Sequence, residues 1–164
     1  MATYVQPAVD RRVAPRDSDD VWPRPGVMDW ARYLVPLGRA LFAAIFLGSV
    51  SGLVGGALIG YATQAGVPFP NILVPLAGIV AAVGGLSVLL GFHARAGAWV
   101  LIAFLVPVTF MMHAFWTVTD PAMRAMQQAN FMKNVALVGA ALMIAYWGAG
   151  PLSLDLKRLW RLHS

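Results

Sequence analysis

The chain has 164 residues, of which 59% are hydrophobic and 12% charged, and its mean hydropathy is +0.69. These values exclude an ordinary soluble domain, in which about a quarter of the residues are charged. The formal charge of +5 is compatible with nucleic acid, but the basic residues flank apolar segments, so we expect a lipid bilayer as partner and no nucleic acid. Because the sequence has no cysteine, disulfides and Cys-ligated metal centres are excluded, and we expect no metal site.

The two ends of the sequence differ from its middle. Residues 1–29 lack an apolar run of signal-peptide length, so we expect a poorly ordered N-terminal extension that is retained. A membrane domain is predicted over residues 30–155. Residues 156–164 alternate basic and apolar side chains, which predicts a tail lying on the membrane surface.

Four apolar segments lie between these ends, each long enough to cross a hydrocarbon core about 30 Å thick, which takes roughly 20 residues. They cover residues 37–61, 72–92, 96–118 and 131–149. The sequence therefore predicts an all-α integral membrane protein, a bundle of four transmembrane helices. Since the number of spans is even, both termini are expected on the same side.

The basic residues indicate which side that is. All lysines and arginines fall on the side of the termini except Arg124 and Lys133. The positive-inside rule then places both termini in the cytoplasm. Arg39 and Arg95 belong to the cytoplasmic set, and we expect them to determine topology. The alternative is a basic pair that holds an anionic lipid headgroup.

Small residues recur in the first segment at steps of four: Gly48, Gly52, Gly56 and Gly60. Glycines at this spacing on one helix let a neighbouring backbone approach closely. We expect a packing groove whose partner is another helix of this chain, although a second subunit is the open alternative.

Polar and aromatic side chains occur at one depth where the third segment ends and the fourth begins: Thr109, His113, Trp116, Asn130, Lys133 and Asn134. One interpretation is a pocket in which His113, Lys133 and Asn134 donate hydrogen bonds to a lipophilic ligand such as a quinone, with Trp116 as an aromatic wall. The other is an interface belt with a snorkelling lysine, in which His113 and Asn134 bond between helices. The residues leave both interpretations open.

None of the acidic residues lies within a predicted span, which limits the transport mechanisms and reactions that the protein can support. A relay of intramembrane carboxylates, which many proton-coupled transporters use, is therefore excluded. We expect neither coupled transport of this kind nor catalysis by the chain alone.

Four stretches together resemble the DoxX family of small four-helix bacterial membrane proteins: LGRALFAAIFLG, GGLSVLLGFHARAGA, HAFWTVTDPAMRAMQQANFMKNVALVGAALM and WGAGPLSLD. The resemblance covers residues 36–155. It implies the bacterial inner membrane and a link to redox biology, since DoxD-type proteins are associated with thiosulfate oxidation coupled to quinone reduction. The residues that it carries over are Arg39, His113, Phe115, Trp116, Phe131, Lys133, Asn134, Gly150, Pro151, Ser153 and Asp155.

The sequence also departs from that family. A glutamate that often precedes the Gly-Gly of helix two is missing, and Ala81 and Ala82 stand in its neighbourhood. A lysine often found midway along helix one is missing too. The departures favour an accessory or assembly subunit of a redox-linked membrane complex, with protein partners and without catalysis of its own. The alternatives are a quinone-binding subunit of an oxidoreductase and, third, a small-solute carrier.

Overall fold

The computed structural model describes residues 29–49 and 56–155. The predictions on the N-terminal extension, on Gly52 and on the 156–164 tail therefore lie outside the described residues. The α-helices below all lie within one unit of the chain, Arg32–Ser164.

Helices make up most of the described residues. The α-helices are α1 Leu34–Ser49, α2 Ala57–Gln64, α3 Pro70–Leu90, α4 Ala94–Met112 and α5 Pro121–Trp147, and short 3₁₀ helices span Asp29–Tyr33 and Phe115–Thr117. Four helical stretches are long and apolar enough to cross a membrane: Trp30–Ser49, Pro70–Leu90, Ala94–Thr117 and Pro121–Trp147. The predicted all-α fold with four membrane-spanning helices is confirmed.

The first span differs from the single helix predicted over residues 37–61. α1 ends at Ser49, and Gly56 precedes the separate helix α2 with φ of +68°. A positive φ cannot continue a right-handed helix, and glycine adopts it without steric cost. Gly48 and Gly60 therefore lie on different helices, and the glycines do not follow one straight helical face. Their role in packing stays a prediction.

The last span begins ten residues earlier than the sequence predicted. The Asp120 carboxylate accepts a hydrogen bond of 2.8 Å from the backbone N–H of Met123, and Pro121 occupies the first turn of α5. An aspartate N-cap accepts a hydrogen bond from an otherwise unpaired N–H group of the first turn, and proline fits that turn because its nitrogen carries no hydrogen. Together they are a strong signal for the start of a helix. The prediction from apolar residues missed this start, because residues 121–130 are largely polar or exposed.

α3 lies at the centre of the helix packing, since it contacts both α1 and α4, and α4 in turn contacts α5. Glycines permit the close approach. A β-carbon on Gly84 would lie 2.8 Å from the Leu101 side chain, and one on Gly85 would lie 3.2 Å from Phe46 Cβ. The small residues that demonstrably bring helices together are thus on α3 rather than on α1.

The segment after α5 folds back across one end of the bundle. The Asp155 carboxylate accepts hydrogen bonds from the backbone N–H groups of His93, at 2.7 Å, and Ala94, at 3.1 Å, at the start of α4. The Asp155 N–H donates to the Gly91 carbonyl at 2.8 Å, and Arg39 Nη2 of α1 donates to the Leu152 carbonyl at 2.9 Å. We call the end of the bundle that contains these hydrogen bonds the Asp155 end. The opposite end, where α4 finishes, is the His113 end.

Candidate functional site

A cavity of about 780 Å³ lies between the helices and reaches the His113 end. Its wall is largely apolar and includes Phe46 of α1, Leu76 of α3 and Phe104 of α4. Its polar lining consists of Ser49, Tyr61, His113, Lys133 and Asn134. A cavity of this size with an apolar wall and few polar groups is typical of a small-molecule site.

Three side chains at the rim form a hydrogen-bonded chain that joins three helical elements. Tyr61 Oη of α2 donates to the Met112 carbonyl at 2.7 Å, and Gln127 Nε2 of α5 donates to Tyr61 Oη at 2.6 Å. Gln127 Oε1 lies 2.8 Å from His113 Nδ1. These hydrogen bonds fix the position of the His113 ring against α2 and α5.

The site residues that the sequence predicted are partly brought together. His113, Lys133 and Asn134 all line the cavity, as the pocket interpretation required. Lys133 is exposed, and its Nζ lies 3.4 Å from Asn130 Oδ1, the preceding turn of α5. Asn130 thus contacts the site only through Lys133.

Asn134 differs from the other polar residues of the wall. Its side chain is 6% exposed and lines the cavity, yet it makes no hydrogen bond within the described residues. The side-chain atoms that are fully buried without a hydrogen bond among the described residues are Arg39 Nε and Nη1, so the Asn134 carboxamide is open to the cavity rather than enclosed. A molecule in the cavity can therefore hydrogen-bond to Asn134.

Two predicted site residues lie away from the cavity. Thr109 is buried, and its hydroxyl donates to the Leu105 carbonyl of its own helix at 2.6 Å. Trp116 is half exposed and packs with Phe131, at 5.8 Å between ring centroids, and Phe115, at 5.2 Å. The indole therefore belongs to an aromatic cluster rather than to the cavity wall.

Arg39 and Arg95 both lie toward the Asp155 end, in different environments. Arg39 is 4% exposed, and its Nε and Nη1 are buried without a hydrogen bond. Arg95 is exposed and runs beside Gly148. Protein encloses Arg39, so of the two only Arg95 has its side chain available to a lipid headgroup. Their roles in topology or lipid binding stay predictions.

Sequence reasoning did not include Tyr61 and Gln127 among the candidate site residues. Gln127 lies three residues before Asn130 and seven before Asn134, so a polar stripe on α5 was visible. What the sequence could not show is that α2 returns Tyr61 to within hydrogen-bond distance of this stripe, because that depends on the interruption after α1.

Comparison with known proteins identifies relatives along most of the chain. The inner membrane protein YqjF of Escherichia coli (strain K12) is 30% identical over 132 residues, 79% of this chain and 92% of that protein. The inner membrane protein YphA of the same strain is 30% identical over 97 residues, 59% of this chain and 69% of that protein. The Surfeit locus protein 4 homolog of Schizosaccharomyces pombe (strain 972 / ATCC 24843) is 27% identical over 127 residues, 77% of this chain and 38% of that protein.

No solved structure matches the chain. The family model that matches is that of SURF4, over residues 58–160, which include the cavity-lining parts of α2, α3, α4 and α5. This match overturns the assignment to the DoxX family, and with it the redox link that the resemblance implied. The chain is an integral membrane protein that belongs to the SURF4 family.

Proposed function

We propose that the protein holds one lipophilic molecule in the cavity between its helices, with the polar head group of that molecule at the His113 end. The observation that carries the proposal is Asn134, whose side chain lines a largely apolar cavity and makes no hydrogen bond within the described residues. Buried amides normally find hydrogen bonds, and one that faces an apolar cavity is a place for a ligand atom.

The surrounding chemistry supports an amphipathic ligand. Lys133 and Asn134 offer donors to an oxygen of the head group, and the apolar wall accommodates a hydrocarbon chain or ring. A quinone is one molecule of this class, since it combines carbonyl oxygens with an apolar tail. None of the five described α-helices contains an aspartate or glutamate, which favours binding over intramembrane acid-base catalysis.

The location follows the relatives. YphA and YqjF are named inner membrane proteins, and we infer the same membrane for this chain. The contacts between Arg39 and Leu152 bring the start of α1 and the segment after α5 to one end of the bundle. With the positive-inside rule, we place that end in the cytoplasm.

The test is binding of a decyl-substituted benzoquinone to the purified protein in lipid nanodiscs. Ala77 lines the cavity, so Ala77→Phe places a ring in the space and should lower affinity at least tenfold. Asn134→Leu should weaken binding about tenfold through the lost hydrogen bond. Ala136→Phe is the matched control, because Ala136 is exposed on α5 outside the cavity, and it should bind as the unmodified protein does. Equal affinities in all variants would contradict the proposal.

Assembly with partner proteins is a second proposal, supported by the same lack of intramembrane carboxylates, which leaves the chain without an evident reaction of its own. Extraction in a mild detergent should then give a particle much heavier than 17.6 kDa that contains other polypeptides. A particle holding this chain alone would contradict it.

A further inference from the structure

The hydrogen-bonded chain at the cavity rim determines where the His113 proton lies. Its starting point is the Met112 carbonyl, which can only accept. The Tyr61 hydroxyl, 2.7 Å away, must therefore donate its single proton to that carbonyl. The Tyr61 oxygen is left as an acceptor for the next group.

Gln127 is oriented by this acceptor. Only the amide nitrogen of its side chain can donate, so Nε2 must face Tyr61 Oη, at 2.6 Å. The carbonyl oxygen Oε1 is then turned toward His113. This orientation follows from the donor and acceptor rules alone, because the flipped amide would place two acceptors against each other at Tyr61.

The tautomer of His113 follows in the same way. Gln127 Oε1 can only accept, so His113 Nδ1, at 2.8 Å, must carry the proton. A neutral imidazole has one N–H, so Nε2 carries a free lone pair. Nε2 makes no hydrogen bond within the described residues, and His113 lines the cavity.

We propose that this site selects lipophiles whose head group is a hydroxyl, such as a phenol or hydroquinone, over the matching ether. The ligand hydroxyl donates to His113 Nε2, while Lys133 or Asn134 donates to an oxygen of the same head group. The inference rests on the proposed function, and it reverses the expectation that His113 donates to the ligand. Tyr61 and Gln127 act as positioning residues that keep the acceptor nitrogen available.

The experiment compares 4-decylphenol with 4-decylanisole, which have the same ring and chain and differ in that the phenol hydrogen is replaced by methyl. The unmodified protein in nanodiscs should bind the phenol about tenfold more tightly, the value of one hydrogen bond to an otherwise unsatisfied group. In His113→Asn the amide nitrogen replaces Nδ1 and Nε2 is lost, so the two ligands should bind within about twofold of each other.

His93→Asn is the matched control, because it replaces histidine by asparagine at the Asp155 end. His93 has a positive φ, which asparagine tolerates. It should retain the preference for the phenol. Independently of any variant, ¹⁵N NMR of the unmodified protein at a pH where His113 is neutral should show Nδ1 protonated and Nε2 unprotonated.

The outcomes separate the two proposals. Equal binding of phenol and anisole by the unmodified protein, an unchanged preference in His113→Asn, or a neutral His113 protonated at Nε2 would each overturn the inference and leave the cavity as a general lipophile site. If neither ligand binds at any concentration that the nanodisc tolerates, both the proposed function and the inference built on it are overturned.

Discussion

The two ends of the bundle both contain buried polar side chains, and they use them differently. At the Asp155 end, both carboxylate oxygens bond to backbone N–H groups, and Arg39 is enclosed against Gly91 and Leu152, with Nη2 bonded and Nε and Nη1 not. At the His113 end, next to a cavity, Asn134 has no hydrogen bond to the described residues, and His113 bonds to them through one of its two nitrogens. Unused bonding capacity therefore occurs at both ends, and the difference is open space: packed atoms around Arg39 leave no room for a ligand, whereas the polar groups beside the cavity can accept one.

The comparison predicts that substitutions at the Asp155 end change stability, while substitutions at the cavity change binding. Gly91→Ala should have the largest effect on stability. Gly91 has φ of +61°, and a β-carbon there would collide with Arg39 Nη1. The left-handed conformation costs alanine about 1–2 kcal/mol, and displacing a packed side chain adds about 1–3 kcal/mol. Unfolding in mixed detergent micelles measures the loss.

Gly139→Ala provides the control for this substitution. Gly139 lies within α5, and a β-carbon there meets no atom within 4 Å. Alanine should leave stability unchanged or raise it by about 0.5–1 kcal/mol through helix propensity. If both variants unfold alike, Gly91 is not held by the contacts described for the Asp155 end.

Asp155→Asn should have an intermediate effect. Asp155 uses both oxygens as acceptors, for His93 N–H and Ala94 N–H, and an amide offers only one. Losing one charge-assisted bond at a helix start should cost about 2 kcal/mol. Asp120→Asn is the matched change at the His113 end. Asp120 bonds to Met123 N–H through one oxygen, so asparagine should cap α5 nearly as well. Equal losses in the same micelle titration would contradict this distinction.

The four membrane-spanning helices could be predicted because length and hydropathy alone determine whether a helix crosses a bilayer. The separate start of α2 could not, because hydropathy does not show the positive φ of Gly56, which precedes that helix. The position of α2 brings Tyr61 to Gln127. A long-range contact of this kind has no local signal, so the hydrogen bond between Tyr61 and Gln127 was not predicted.

Some of the predicted site residues line the cavity and others do not, because helical spacing gives the depth of a side chain but not its direction. The antiparallel order of α4 and α5 requires His113 and Lys133 to lie at the same depth, and both line the cavity. Trp116 shares that depth but lies beyond the end of α4, in a 3₁₀ helix, and its ring packs against Phe131 rather than lining the cavity.

The mistaken family assignment has a structural explanation. Several residues that carried the resemblance serve general needs of a helical bundle: Asp155 caps α4, Ser153 Oγ donates to the Gly150 carbonyl at 2.9 Å, and Phe131 packs in the aromatic cluster. Any small four-helix membrane protein has helix ends to cap and rings to pack. Such residues indicate the architecture but do not distinguish one family of this architecture from another.

Tyr61→Phe should have the smallest effect on stability, and it tests the comparison at the His113 end. The variant removes a donor to the Met112 carbonyl and the acceptor for Gln127 Nε2, at a cost of about 1 kcal/mol. Without the hydroxyl, the Gln127 amide is free to turn its nitrogen toward His113, which would allow the proton to move to Nε2. The preference for decylphenol over decylanisole should then fall, although the cavity keeps its apolar wall. Tyr146→Phe removes a hydroxyl from a side chain that is 74% exposed, lies in the last turn of α5 and does not line the cavity, so its preference should not change. A Tyr61→Phe protein that keeps the full preference would show that the rim hydrogen bonds serve packing alone, as those of the Asp155 end do.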